Sequence, residues 1–243
     1  MTRRANSTFP LTSPMDLDAA LERVEARYRA AGLPPSFHIS EAAQPPGLDV
    51  LLAARGYTLE APTLVMAASP IAVVAATAPA PVAQSSGTHS PVSPEVRVAA
   101  TPDGAWTDLW WSVDGRGDAH DRAVALQILQ ASPALYATVP GPHAALAVGR
   151  LALAGPWAGL YCLAVDPGAR GTGLGTAVVH ALAVAGQARG ASALWLQVVE
   201  ANAAARRLYE RHGFRTVGRY HYRTGPVRPG PGLARRRLAT RAR

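Results

Sequence analysis

The chain has 243 residues, a net charge of +8 and a hydrophobic share of 49%, enough for one large domain or one domain and part of a second. All 24 basic residues are arginine; 16 of them balance 16 acids between Met1 and Gly218, and the remaining eight lie in 219–243 with no acid beside them. A uniformly basic body for nucleic-acid binding is thereby excluded, and a basic tail is not.

The single cysteine, Cys162, excludes a disulfide framework and a multi-cysteine zinc site. The seven histidines show no ligand spacing, so no metal is expected. The start has no apolar run and does not read as a secretory signal. Ala61 to Pro94 lacks charge, but six prolines cut it into pieces shorter than the roughly 20 residues of a spanning helix. A soluble, cytoplasmic protein without membrane contact is expected.

Ser13-Pro14-Met15-Asp16 reads as a helix start, with Ser13 as cap and Pro14 in the first turn. Leu17, Leu21, Val24 and Tyr28 share a face, and Gly32 ends the helix. Phe37 to Ile39 reads as a strand, Leu48 to Leu52 as a helix closed by Gly56, and Tyr57 to Met66 as an extended segment that Pro62 makes an edge or a bulge. This αβαβ segment covers 1–68. An extended Ala/Pro/Ser linker is expected over 69–94.

After it come a strand from Glu95, a helix over Trp106 to Ser112 whose Trp110-Trp111 suit core packing, and a helix over His120 to Ala131 with Val124, Ile128 and Leu129 on one side. Three strands follow, Ala134 to Val139, Ala144 to Leu153 and Trp157 to Val165. A helix from Gly173 to Arg189 buries Val178, Ala181, Leu182 and Ala185. Then come a strand over Ala193 to Val199, a helix over Asn202 to His212 and a strand over Arg215 to Tyr222. The main domain is read as 95–224, and 225–243 as a disordered arginine-rich tail. A faint repeat sets Gly56-Tyr57 against Gly213-Phe214 and Gly32 against Gly190; it would make the first segment a degenerate half of the second.

The chemistry concentrates at Val165-Asp166-Pro167-Gly168-Ala169-Arg170-Gly171-Thr172-Gly173-Leu174-Gly175. A strand runs into a glycine-rich turn that opens a helix, so unpaired amides gather at the positive end of the helix dipole. That is an anion cradle suited to a pyrophosphate. The triphosphatase loop is excluded, because the chain has no lysine. The dinucleotide fingerprint fails because Thr176 stands where its third glycine belongs.

Arg170-x-x-Gly173-x-Gly175 after Val165-x-Pro167 resembles the acyl-CoA loop of the GNAT superfamily of N-acetyltransferases. Asn202-x-x-Ala205-x-x-Leu208-Tyr209-Glu210-x-x-Gly213-Phe214 resembles its second signature. Arg3-Arg4-Ala5-Asn6-Ser7 and Gly32-Leu33-Pro34-Pro35 resemble the N-terminal region of a group of actinobacterial-type members that tend to be longer there, so a first portion of that region is expected to be absent here. The resemblance implies an α/β (α+β) GNAT fold: a mixed twisted sheet flanked by helices, behind the small αβαβ segment. It implies acetyl-CoA as co-substrate, with Arg170, Gly171, Thr172, Gly173, Leu174, Gly175 and Thr176 around its pyrophosphate. It further implies that Leu163, Ala164 and Val165 pair with the pantetheine arm, that Asn202 and Ala205 lie beside it, and that Tyr209 is the general acid.

No carboxylate occupies Trp157 to Val165, where many members keep a glutamate base. Glu200, at the end of the next strand, is the candidate instead, beside a water-mediated base. The expected activity is transfer of acetyl to a primary amine, small-molecule or peptide, by a monomer or homodimer. A non-turnover acyl-CoA sensor and a ribosome- or nucleic-acid-associated role of the basic tail are the alternatives.

Overall fold

The structure, a computed structural model, describes residues 3–78 and 94–226. The rest of the expected linker, 79–93, and the arginine-rich stretch from 227 lie outside the described residues. The chain divides into two compact units. The first comprises Met1–Val65, Val198–Asn202 and Val217–Arg243; the second comprises Met66–Gln197 and Ala203–Thr216.

In the first unit, helix α1 (Leu17–Ala30) is capped by Asp16, whose carboxylate accepts from the Ala19 amide at 2.9 Å. The expected cap, Ser13, lies three residues too early: its hydroxyl faces Gln44. Proline at 14 precedes the helix rather than occupying its first turn. Strand β1 (Ser36–Ser40), helix α2 (Leu48–Ala54) and strand β2 (Thr58–Ala68) follow. Ala61, just before Pro62, takes φ +47, so the proline sits at a backbone irregularity.

Leu21, Phe37, Ile39, Leu48, Leu52 and Tyr57 form the core of this unit, flanked by Leu17 and Val24. The last strand, β8 (Arg215–Thr224), pairs antiparallel with β1, and the local strand order is β1-β8-β2. Asp49 fastens α2 to β8 through Arg223 at 2.7 Å and His221 at 2.8 Å. The Arg223 hydrogen bond is the main cause of its carboxyl falling to about 2.

The second unit opens with helix α3 (Pro70–Thr77), where an extended linker was expected. Ser69 caps it through the Ala72 amide at 3.2 Å, and Pro70 fits the first turn. Val73 is fully buried and the helix packs on α6 (Leu174–Ala188), so tertiary burial overrides a composition that suggests a linker.

Strand β3 (Arg97–Ala99), helices α4 (Gly104–Asp114) and α5 (Ala119–Gln130), and strands β4 (Ala134–Pro140), β5 (Ala145–Ala154), β6 (Trp157–Val165) and β7 (Ala193–Val199) follow the expected order, with local strand order β7-β6-β5-β4-β3. The apolar side of α5 differs from expectation. Ala125, Leu126 and Leu129 pack on the core, and Val124 and Ile128 are exposed. On α6, Val178 and Leu182 are buried as expected, joined by Leu174, Val179, Ala183 and Gly186, while Ala181 and Ala185 are half-buried. Helix α7 (Ala203–Arg211) precedes β8. Among the described residues no helix is long and apolar enough to cross a membrane.

Candidate functional site

Two irregularities of β6 shape the second unit. Ala164 pairs with Val148 and Tyr161 with Arg150, so Cys162 and Leu163 together oppose Gly149. This is a β-bulge, and Cys162 takes φ +54 within it. The Gly149 carbonyl accepts the Trp106 indole N–H at 3.1 Å, which pins α4 to the bulge. A Cβ on Gly149 would meet Val178 at 2.6 Å, so glycine is what lets α6 lie this close.

The second irregularity is the brevity of the parallel β6/β7 pairing. Its described pairs are Trp157↔Ala193, Ala158↔Leu194 and Gly159↔Trp195. From Cys162 to Val165 no pairing with β7 is described. The expected pantetheine strand, Leu163-Ala164-Val165, is in this open half.

The turn after β6 is built by Asp166. Its carboxylate accepts from the Gly168 amide at 2.9 Å, and its own amide donates to Leu146 at 2.8 Å. Arg170 lies exposed, its Nε reaching the Val165 carbonyl at 3.4 Å, and the Thr172 hydroxyl donates to Ala169 at 2.6 Å. Gly173 caps α6 at φ +86, a conformation that disfavours other residues, and brings no side chain to the helix start. The amides of Leu174, Gly175 and Thr176 are therefore first-turn donors without intrahelical partners. Among the described residues no hydrogen bond fills them. The predicted cradle residues thus come together at one helix end, where the Leu174, Gly175 and Thr176 amides have no described hydrogen bond.

Tyr209 is buried on α7, edge-on to Phe214 at 5.8 Å. Burial, and then the charge of Asp114, push its hydroxyl up to about 12, so it keeps its proton across the neutral range. No hydrogen bond holds that hydroxyl among the described residues. Leu208 approaches Gly175 and His212 meets Thr176 at 3.1 Å, so α7 lies against the start of α6. Glu200 and Asn202, also singled out from sequence, belong to the first unit. The Glu200 amide donates to Pro62 at 2.8 Å and the Asn202 amide to Val199 at 2.9 Å; Asn202 stands directly before α7. Ala205 is half-buried on α7.

Three residues of the second unit escaped the sequence reading. Asp114 ends α4, four residues after buried Trp110 and hence on its face. Partial burial lifts its carboxyl, and its charge in turn raises Tyr209 and Cys162. The Cys162 thiol, pushed to about 12 chiefly by burial, is no nucleophile. Arg150 is buried between Tyr136 and Tyr161 and donates to the Leu129 carbonyl at 2.6 Å and to Ser132 at 3.0 Å, closing the C-terminal end of α5. His212 is the third. The helical spacing from Trp110 to Asp114 could have been read in sequence; the His212–Thr176 and Arg150 contacts could not, since they join distant segments.

This arrangement of splayed strands, bulge and open helix start agrees with a match of residues 109–214 to the Acetyltransferase (GNAT) family. Residues 109–214 are a GNAT domain. An uncharacterized N-acetyltransferase of Bacillus subtilis, YobR, is 28% identical over 225 residues, spanning 92% of this chain and 85% of that protein. The [ribosomal protein bS18]-alanine N-acetyltransferase of Escherichia coli is 40% identical over 89 residues, 36% of this chain and 59% of that protein. A tandem GNAT protein from the clavulanic acid biosynthesis pathway superposes with a TM-score of 0.64 over 88% of this chain and 70% of its own, at 16% identity. That last likeness speaks for the fold alone. The sheet is mixed and flanked by helices, as the resemblance implies.

Proposed function

We propose that the GNAT domain transfers acetyl from acetyl-CoA to a primary amine. The observation that carries this reading is the open ring of amides at the start of α6, set against the helix that bears the unpaired, protonated Tyr209 hydroxyl. The donors fit a diphosphate: they are backbone N–H groups at a helix N-terminus, with Arg170 beside them. Acetyl-CoA supplies an activated acyl group and a thiolate leaving group.

The protein's own residues do the rest. Arg170, Gly171, Thr172, Gly173, Leu174, Gly175 and Thr176 hold the diphosphate. Leu163, Ala164 and Val165 offer main-chain groups to the pantetheine arm from the open half of β6. Asn202 and Ala205 flank that arm. Tyr209 gives its proton to the departing sulfur.

An amine must lose a proton to attack, and a free alkyl ammonium has a pKa of about 10. Two carboxylates are proposed to accept that proton, Glu200 and Asp114. Asp114 is the stronger candidate. Its field already acts on the Tyr209 hydroxyl, and its carboxyl, although the residue is exposed overall, is raised by local desolvation. Asp114 also ends α4, and a helix C-terminus favours a cation such as an incoming ammonium. The acceptor is a small-molecule or peptide amine; a protein α-amine is the example set by the E. coli relative.

The test is thiol release from acetyl-CoA across a panel of amines. Tyr209→Phe should lower kcat by about 10²-fold or more, the size of a lost general acid, while CoA binding persists. Asp114→Asn should cost more than Glu200→Gln in kcat/KM for the amine. Full turnover by Tyr209→Phe would remove the mechanism, and CoA binding without turnover of any amine would favour a sensor.

A further inference from the structure

One polar pair beside the cradle joins a buried histidine to a half-buried threonine. His212, at the end of α7, is 4% exposed, and its Nε2 lies 3.1 Å from the Thr176 hydroxyl. Among the described residues, its other ring nitrogen, Nδ1, is buried without a hydrogen-bond partner. The 3.1 Å contact has two possible polarities, because either the hydroxyl or the imidazole can donate.

The unpartnered Nδ1 decides between them. In the Nδ1–H tautomer a donor would be buried with no acceptor, and Nε2 would take the hydroxyl proton. In the Nε2–H tautomer the N–H is satisfied by Thr176 and only a lone pair goes unmet. Buried donors without acceptors are the rarer defect. The doubly protonated ring would bury both a charge and an unmet donor; burial and the neighbouring Arg211 both act against it.

Thr176 is the third residue of α6, and helical side chains lean toward the N-terminus. Its hydroxyl therefore lies on the cradle side, among the open first-turn amides. We propose that His212 is a positioning residue for the anion cradle: as the Nε2–H tautomer it donates to Thr176 and leaves that hydroxyl's proton free for a phosphate oxygen. The cradle then has a side-chain donor of fixed polarity besides its backbone amides. A histidine directly after the helix of Tyr209 sets that polarity. This inference rests on the acetyl-CoA reading for the identity of the anion, and on the His212–Thr176 geometry for everything else.

Three measurements test it. In the wild-type protein, long-range ¹H–¹⁵N spectra of His212 should show the proton on Nε2; a proton on Nδ1 overturns the proposal. By calorimetric titration with CoA, Thr176→Val and His212→Leu should each weaken binding about 10-fold, the scale of one hydrogen bond to a charged group. The double variant should be little worse than either single one, since both break the same contact. The KM advantage of acetyl-CoA over S-acetylpantetheine, which has no diphosphate, should shrink by a similar factor. Unchanged CoA affinity in His212→Leu, or equal losses for the two thioesters, overturns it. If the wild-type protein binds no CoA, the acetyl-transfer reading falls. The ring spectrum and a titration with inorganic pyrophosphate would still decide this inference.

Discussion

The helix starts at Leu17 and at Leu174 face the same physical problem and solve it in opposite ways. Each has first-turn amides without partners. At α1 the chain supplies its own anion, the Asp16 carboxylate, 2.9 Å from the Ala19 amide. At α6 the cap is Gly173, which brings no side chain, and the amides stay open. The two helices end alike. Leu33 donates to Tyr28 at 2.9 Å past Gly32, and Ala191 donates to Gly186 at 3.0 Å past Gly190. The helices that follow also match: Tyr57 donates to Leu52 and Phe214 to Tyr209, both at 3.0 Å. Ordinary backbone architecture is thus common to both regions. The difference lies in one cap residue and in what stands at position 52 or 209, a fully buried leucine or a tyrosine with an unpaired hydroxyl.

Substitutions at matched positions sharpen this contrast. Leu52→Ala empties a site that is 0% exposed and should destabilise the protein by about 2–5 kcal/mol, read by denaturant unfolding. Tyr209→Phe, at the matching place, keeps the ring and should change stability far less than Leu52→Ala while removing turnover. Gly173→Asp would give α6 the cap chemistry of α1. It forces a Cβ into φ +86 at a cost of about 1–2 kcal/mol, and it puts a carboxylate where the cradle takes an anion. CoA affinity should fall further than in Gly173→Ala, which has the strain alone; equal falls would break the contrast. Asp16→Ala should cost about 1 kcal/mol of stability and leave CoA affinity unchanged.

Much of this was readable in sequence because it is local. Glycines after apolar runs marked the helix ends at Gly32, Gly56, Gly190 and Gly213, and the cradle is a contiguous stretch. What escaped depended on distant partners. Helix α3 forms because Val73 is buried, although the surrounding Ala/Pro composition suggests a linker. Periodicity on α5 pointed to Leu129, which does pack on the core, and to Val124 and Ile128, which are exposed while Ala125 and Leu126 are covered instead. Ser13 and Asp16 both suit a helix cap; Asp16 caps α1, and Ser13 faces Gln44, 31 residues later, a contact outside any local pattern. His212 joins the site through Thr176, 36 residues earlier, a contact that no spacing rule contains.

The short β6/β7 pairing has a thermodynamic corollary. Among the described residues, Cys162 to Val165 of β6 have no pairing with β7, so their main-chain groups on that side form a local sheet margin. A co-substrate arm that pairs there extends the hydrogen-bonded ladder as it binds. Its binding energy then adds to the stability of the folded state, by an amount that grows with the logarithm of its concentration above Kd. If acetyl-CoA is that co-substrate, as proposed, the melting temperature of the domain becomes a gauge of how much of it surrounds the protein.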